Sequence, residues 1–359
     1  MLVHPSNPPN TALAAVPASG SGPTSDEPDP SAIIALGTAF WGSKTLLSAV
    51  ELGVFSELTG GALPLEELRR RLDLHERGAR DFFDALVALG MLHREGGHYA
   101  NTAATEHFLD RAKPSYIGGI LEMANARLYP FWGALTDALH TGEPQNEAKR
   151  DESFYAVLYS DEERLRQFLR AMTGISLRPA RGIAERFPFE QYRTFAEVGC
   201  AEGALPVQVA LMHPHITGVG FDLAPVGPIF DDYVASFDLT DRLAFQAGDF
   251  FAQPLPAADV LTMGHILHNW DLEAKLTLLE KAYAALPEGG ALIVYEAFID
   301  DERRLHAYGL LMSLNMLIET AGGFDFTTAE CQEWMRSVGF RETRVEPLVG
   351  PDSMVVAVK

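Results

Sequence analysis

Residues 195–210 read FAEVGCAEGALPVQVA: a short apolar strand ending in Glu197, a turn holding Gly199 and Gly203, and then a helix. A strand, a glycine-bearing turn and a helix N-terminus let a small molecule press against backbone that any Cβ would block. The spacing is E-x-G-x-x-x-G, with Ala201 where a dinucleotide fingerprint carries its second glycine. The bland alternative is a tight strand-to-helix connection with no ligand.

Two more acids speak against that alternative. The strand ITGVGFDL ends at Asp222, about 20 residues past the glycine turn, where a carboxylate can accept both hydroxyls of a ribose. The next strand, RLAFQAG, runs into Asp249-Phe250-Phe251, which supplies another carboxylate and an aromatic face for an adenine. An acid at Glu197 would repel a pyrophosphate. S-adenosylmethionine has no phosphate, and its ammonium and sulfonium are cationic, so carboxylates around this turn favour it.

From about Thr194 onward, strand patterns alternate with helix patterns: FAEVG, ITGVGF, RLAFQA, DVLTMG and ALIVYEA, then FRETRVEPL and SMVVAVK. Alternation predicts a parallel sheet covered by helices, an α/β fold with its ligand at the carboxyl ends of the strands. Only Val349-Gly350-Pro351-Asp352 separates the last two strands, too few residues for a crossover helix, so they pair antiparallel.

With EVGCAEG at 197–203, GFDL at 220–223, GDFF at 248–251, HILHNWD at 265–271, LPEGGALIVYEAFID at 286–300 and GGFDFTTAEC at 322–331, the chain resembles class I S-adenosylmethionine-dependent O-methyltransferases. Within that class it is similar to the plant caffeate, bacterial antibiotic-tailoring and acetylserotonin type, over roughly residues 30–359. The resemblance implies a Rossmann-like sheet with an antiparallel last strand, preceded by an all-helical winged-helix domain that builds a homodimer. It implies cofactor contacts at Ser176, Glu197, Gly199, Gly203, Asp222, Leu223, Asp249, Phe250 and Gly264. Phe168, Met172, His265, Met316 and Thr320 match acceptor-pocket positions. Glu319 adds an acid that either meets a second polar group of the acceptor or is a solvated helix carboxylate.

His268 matches the family's general base, with Glu296 and Asp325 as its orienting acids; Asp325 is one methylene shorter than the usual Glu. A phenol with a pKa of about 10 attacks a methyl far better once deprotonated, and imidazole, near 6.5, is suited to take the proton. Such help typically contributes 10²- to 10⁴-fold, and in-line positioning about 7 to 11 kcal/mol. No metal is required. Asn269 replaces the common Asp, Gly264 a Lys of plant members, and Ala201 a loop Gly. Alternatives keep the fold but methylate carbon or nitrogen, or use the cofactor otherwise, with His265 and His268 joining Glu296 or Asp325 around a metal.

The N-terminal third reads as helix 31–53, ended by Gly53, then two helices and a hairpin around Gly96-Gly97. This winged-helix pattern raises a DNA-binding sensor as a rival. Between Leu65 and Glu95, however, six arginines face seven carboxylates, and the whole chain carries a formal charge of -21. Such a charge opposes nucleic acid and anionic membranes as partners. Fewer than 18 consecutive apolar residues occur anywhere, which argues against a membrane span. The 359-residue chain is expected to divide into a disordered tail (1–30), a dimerisation domain (31–112), helices that include the acceptor pocket (113–185) and a catalytic domain (186–359). Residues 142–153, GEPQNEAKRDES, read as a loop. Two isolated cysteines, Cys200 and Cys331, suit a reduced, cytoplasmic setting.

Overall fold

A computed structural model describes residues 28–113, 115–147, 158–159 and 161–359. Most of the expected tail (1–27) and the end of the expected loop (148–153) lie outside the described residues. The chain divides into two compact units, Met1–Ala126 and Arg127–Lys359.

In the first unit, the expected opening helix forms as Ser31–Thr38 and Phe40–Leu52, broken at Ala39. Gly53 ends it in the left-handed region (φ 75°), which costs glycine nothing and a Cβ-bearing residue about 1 to 2 kcal/mol. Helices Leu65–Arg71 and Glu76–Ala88 follow. Strands β1 (Leu63–Pro64), β2 (Leu92–Glu95) and β3 (His98–Asn101) make an antiparallel sheet in the order β1-β3-β2, with the hairpin at Gly96-Gly97. This sheet corrects the all-helical description of the unit: Leu63 and Pro64 extend the hairpin to three strands. Ile33, Leu36 and Trp41 are 77%, 77% and 64% exposed. By length and composition alone Ser31–Leu52 is apolar enough to cross a membrane, although no uninterrupted apolar run predicted it.

The second unit is built on strands β4 (Thr194–Val198), β5 (Thr217–Asp222), β6 (Leu243–Ala247), β7 (Val260–Gly264), β8 (Ala291–Glu296), β9 (Glu342–Pro347) and β10 (Ser353–Val358). Their order is β6-β5-β4-β7-β8-β10-β9; the first five are parallel, and β10 runs antiparallel to both β8 and β9. Successive residues of a strand point to opposite faces, and both faces are covered. Ala291, Ile293 and Tyr295 enter one core with Leu205 and Phe230, while Leu292 and Val294 enter the other with Leu278 and Phe340. Buried on both sides, the inner strands β4, β7 and β8 can place polar groups productively only at their ends.

Candidate active site

The glycine turn leaves β4 and enters the helix Ala204–Met212. Gly199 has φ 74°, and a Cβ there would lie 2.2 Å from Ile266 Cδ1, so the backbone must remain bare. Ala201 adopts φ 49° despite its methyl, and its N–H donates to Asp222 Oδ2 at 3.1 Å. Asp222 Oδ1 accepts the Leu223 N–H at 2.7 Å. One carboxylate thereby fastens the turn to the end of β5.

Glu197 is buried; its Oε1 accepts the Tyr295 hydroxyl at 3.1 Å, and its Oε2 has no hydrogen-bond partner. Burial, with Asp222 adding repulsion, pushes this carboxyl up to about 8. Burial pushes Asp222 up to about 6. A buried acid with an orphaned oxygen fits a cationic ligand, and the bare glycine turn fits its close approach. A Cβ on Gly264 would stand 1.8 Å from Tyr295 Cζ. The glycine therefore clears the tyrosine's path to Glu197, which supplies a reason within the fold for its place. Asp249 is exposed past β6, accepting the Phe251 N–H at 2.8 Å, and Phe250 and Phe251 meet the edge of Trp270 with ring centroids 5.9 and 4.7 Å away.

At the ends of β7 and β8 the chemistry differs. His265 sits at φ 52°, followed by a 3-10 turn, Leu267–Asn269, that carries His268. Asp271 then caps the helix Leu272–Ala285, its Oδ1 accepting the Ala274 N–H at 2.9 Å, as its position predicts. Glu296 holds this turn by its backbone: Oε1 accepts N–H groups from Leu267 at 3.1 Å and His268 at 3.4 Å. Its Oε2 lies 3.5 Å from His265 Nδ1 and 3.8 Å from His268 Nδ1. Asp325 Oδ1 is 3.3 Å from His268 Nδ1, so the shorter acid reaches; its backbone N–H is anchored on Ser313 Oγ at 3.2 Å.

Burial of His268 opposes its charge, but Glu296 and Asp325 prevail and push the imidazole up to about 9. His265 is also raised: burial is outweighed by Glu296 and by Asp352, whose Oδ1 lies 4.0 Å from His265 Nε2. Glu296 is held below the usual carboxylate range, because its two imidazole neighbours outweigh burial. Ligand atoms of His265, His268 and Glu296 all lie within 4.8 Å of one another, the composition of the alternative metal reading; the same atoms form the pairs just described.

The remaining predicted residues are more scattered. Phe168, half-buried on the helix Glu162–Arg186, packs in a cluster with Ala201 and Val226 beside the glycine turn. Met172 and Ser176 are half-buried on that helix. Met316 is buried on the helix Ala307–Glu319. The Thr320 hydroxyl donates to Met316 O and accepts the Gly323 N–H, both at 2.8 Å, so it shapes the approach to Asp325. Glu319 is not a solvated carboxylate: it is 8% exposed and paired with Arg127 at 3.0 Å. Sequence reasoning missed Tyr295, Asp352 and Lys275. None of the three left a signal in sequence: in LEAKLTLL, Lys275 stands near Glu273 as any helix lysine does.

Residues 132–341 match the family described as the O-methyltransferase domain, and residues 34–111 the O-methyltransferase dimerisation domain. The chain is 43% identical to the tetracenomycin polyketide synthesis 8-O-methyl transferase TcmO of Streptomyces glaucescens, over 92% of this chain and 97% of that one. It is 35% identical to the N,N-dimethyltransferase OxyT of Streptomyces rimosus, over 91% and 96% respectively. The human N-acetylserotonin methyltransferase in complex with S-adenosylmethionine superimposes with a TM-score of 0.85 at 27% identity, over 94% of this chain and 99% of that one.

Proposed function

The chain belongs to the S-adenosylmethionine-dependent O-methyltransferases, and from that premise we propose that it methylates a hydroxyl of a polyketide-derived aromatic acceptor with His268 as general base. The observation that carries this reading is the His268–Asp325–Glu296 constellation at the strand ends that adjoin the glycine turn. When bound, S-adenosylmethionine supplies an electrophilic methyl on a sulfonium cation.

Glu197, with its orphaned oxygen, is suited to the ammonium of that molecule, and Asp222 to its ribose. Gly199, Gly203, Leu223, Asp249, Phe250, Gly264 and Ser176 complete the proposed cofactor set. His268 offers Nε2 to the acceptor hydroxyl, because Nδ1 faces Asp325. Glu296 and Asp325 make the imidazole favour its proton; a cation in the pocket shifts it toward the free base that catalysis needs. Glu296 fixes the turn's backbone while Asp325 fixes the ring. His265, Phe168, Met172, Met316 and Thr320 are proposed to shape the acceptor side, within the division into dimerisation (31–112), acceptor (113–185) and catalytic (186–359) regions.

The exposed apolar residues Ile33, Leu36, Phe40 and Trp41 suit the face through which a dimerisation domain meets a second copy. In the paired helices of the winged-helix-like unit, Arg69, Arg70 and Arg71 are matched by Glu66, Glu67 and Glu57, which leaves little positive field for nucleic acid. We place the enzyme in the cytoplasm as a homodimer.

The test is transfer of labelled methyl from S-adenosylmethionine to a panel of polyketide phenols, naphthols and aromatic amines, with His268→Ala in parallel. O-methylated product lost in the variant is expected. Exclusive labelling of amines would overturn the proposed acceptor, and unchanged turnover in the variant would overturn the base.

A further inference from the structure

Lys275 lies one turn into the helix Leu272–Ala285 with no exposed surface. Its ammonium donates to Trp270 O at 2.6 Å and to Phe324 O at 3.0 Å. It also stands over aromatic faces, 3.2 Å from the centroid of Phe324, 5.3 Å from Phe326 and 6.0 Å from Trp334. The two carbonyls belong to different segments: Trp270 follows His268 by two residues, and Phe324 immediately precedes Asp325. A single buried cation thus joins the turn that carries the base to the loop that carries its orienting acid.

Stability alone gives a weak reason for a lysine here. Burying an ammonium is costly, and an apolar side chain of similar length fills such a space at least as well. We propose that Lys275 is a positioning residue for methyl transfer: it clasps the His268 turn to the Asp325 loop and offsets the negative charge of Glu296 and Asp325 around the imidazole. This inference rests on His268 being the base.

The charge balance supports the geometry. The carboxylates acting on Lys275 are Glu296 at the end of β8, Asp325 in the clasped loop, Asp271 at its own helix N-terminus and Glu330 on the helix Thr328–Ser337. Even so, burial brings the lysine down to about 8, and its charge in turn acts to lower His268. Removing it leaves the imidazole to the two acids, so His268 holds its proton to higher pH.

The experiment measures kcat, KM and their pH dependence for Lys275→Met, Lys275→Gln and His268→Ala, with cofactor affinity by calorimetry and folding by circular dichroism. Lys275→Met is expected to lower kcat about tenfold at pH 7, since each unit gained by the base cuts its free form about tenfold. Its acid limb should move to higher pH while cofactor affinity stays within about twofold. Lys275→Gln keeps a donor for the carbonyls and should recover part of kcat but not the position of the limb. Activity lost in His268→Ala but unchanged, with its pH limb, in both lysine variants would overturn this inference alone. Turnover that survives in His268→Ala would overturn the base assignment and this inference with it. Failure of both lysine variants to fold would assign Lys275 to stability and likewise overturn it.

Discussion

At the carboxyl ends of β4 and β5, Glu197 and Asp222 are buried without a cationic partner among the described residues, and both hold protons more tightly than exposed acids do. At the ends of β7 and β8, Glu296 is equally buried, yet two imidazoles hold it ionised. Burial is thus common to Glu197 and Glu296 at one sheet edge, and the two imidazoles beside Glu296 account for their opposite shifts. The half without a cation is open to a charged ligand. The half with its own cations is arranged to hold and release a proton.

The sharpest way to break this contrast is His268→Ala, expected to lower kcat about 10²- to 10⁴-fold while leaving cofactor binding nearly intact. An equal loss of cofactor affinity would show that the halves are not separate in function. Glu197→Gln should act oppositely, weakening S-adenosylmethionine about 10- to 100-fold, the range of a charge-assisted hydrogen bond. Unligated protein carrying this change should melt no lower than the parent, because a costly buried acid has been removed; calorimetry and a melting curve read both effects. Asp325→Asn removes a negative neighbour from His268, so the acid limb of the kcat profile should move to lower pH. The loosened ring should at the same time lower kcat about tenfold. A limb shifted upward would contradict the charge assignment.

The smallest effect is on the pH dependence of stability. Glu197 is raised in the folded chain, so between its ordinary value and about 8 the native state binds more protons than the unfolded state. Its contribution is therefore fully present at low pH and lost as pH rises through about 8. A cationic ligand favours the ionised acid, so the gain in melting temperature from S-adenosylmethionine should grow from pH 5 to pH 8. A gain independent of pH would remove Glu197 from the proposed cofactor set.

Much of this was legible because the signals are local. Most strands of the large sheet follow from short apolar runs, whereas the polar β9 and its antiparallel pairing with β10 follow from a connection too short to cross over. His268 and Glu296 stand at strand ends that alternation locates, whereas Asp325 and the roles of all three came from resemblance. Glu319 was misjudged between two readings because a helix-borne carboxylate shows nothing in sequence of the Arg127 that buries with it, 192 residues away. Lys275 reads as an ordinary helix lysine until the carbonyls of Trp270 and Phe324 are seen to meet at its ammonium.

The amino-acid sequence by itself determined which segments become strands and helices, where the backbone must be glycine or nearly so, and the acidic character of the strand ends, since each depends on periodicity, sterics or residue type over a few positions. Only the tertiary structure decided that β10 inserts between β8 and β9, that Tyr295 reaches Glu197 through the space left by Gly264, and that one lysine joins the base to its acid. Those outcomes depend on which distant groups share a low-dielectric space, and their energies arise only when the chain has brought them together.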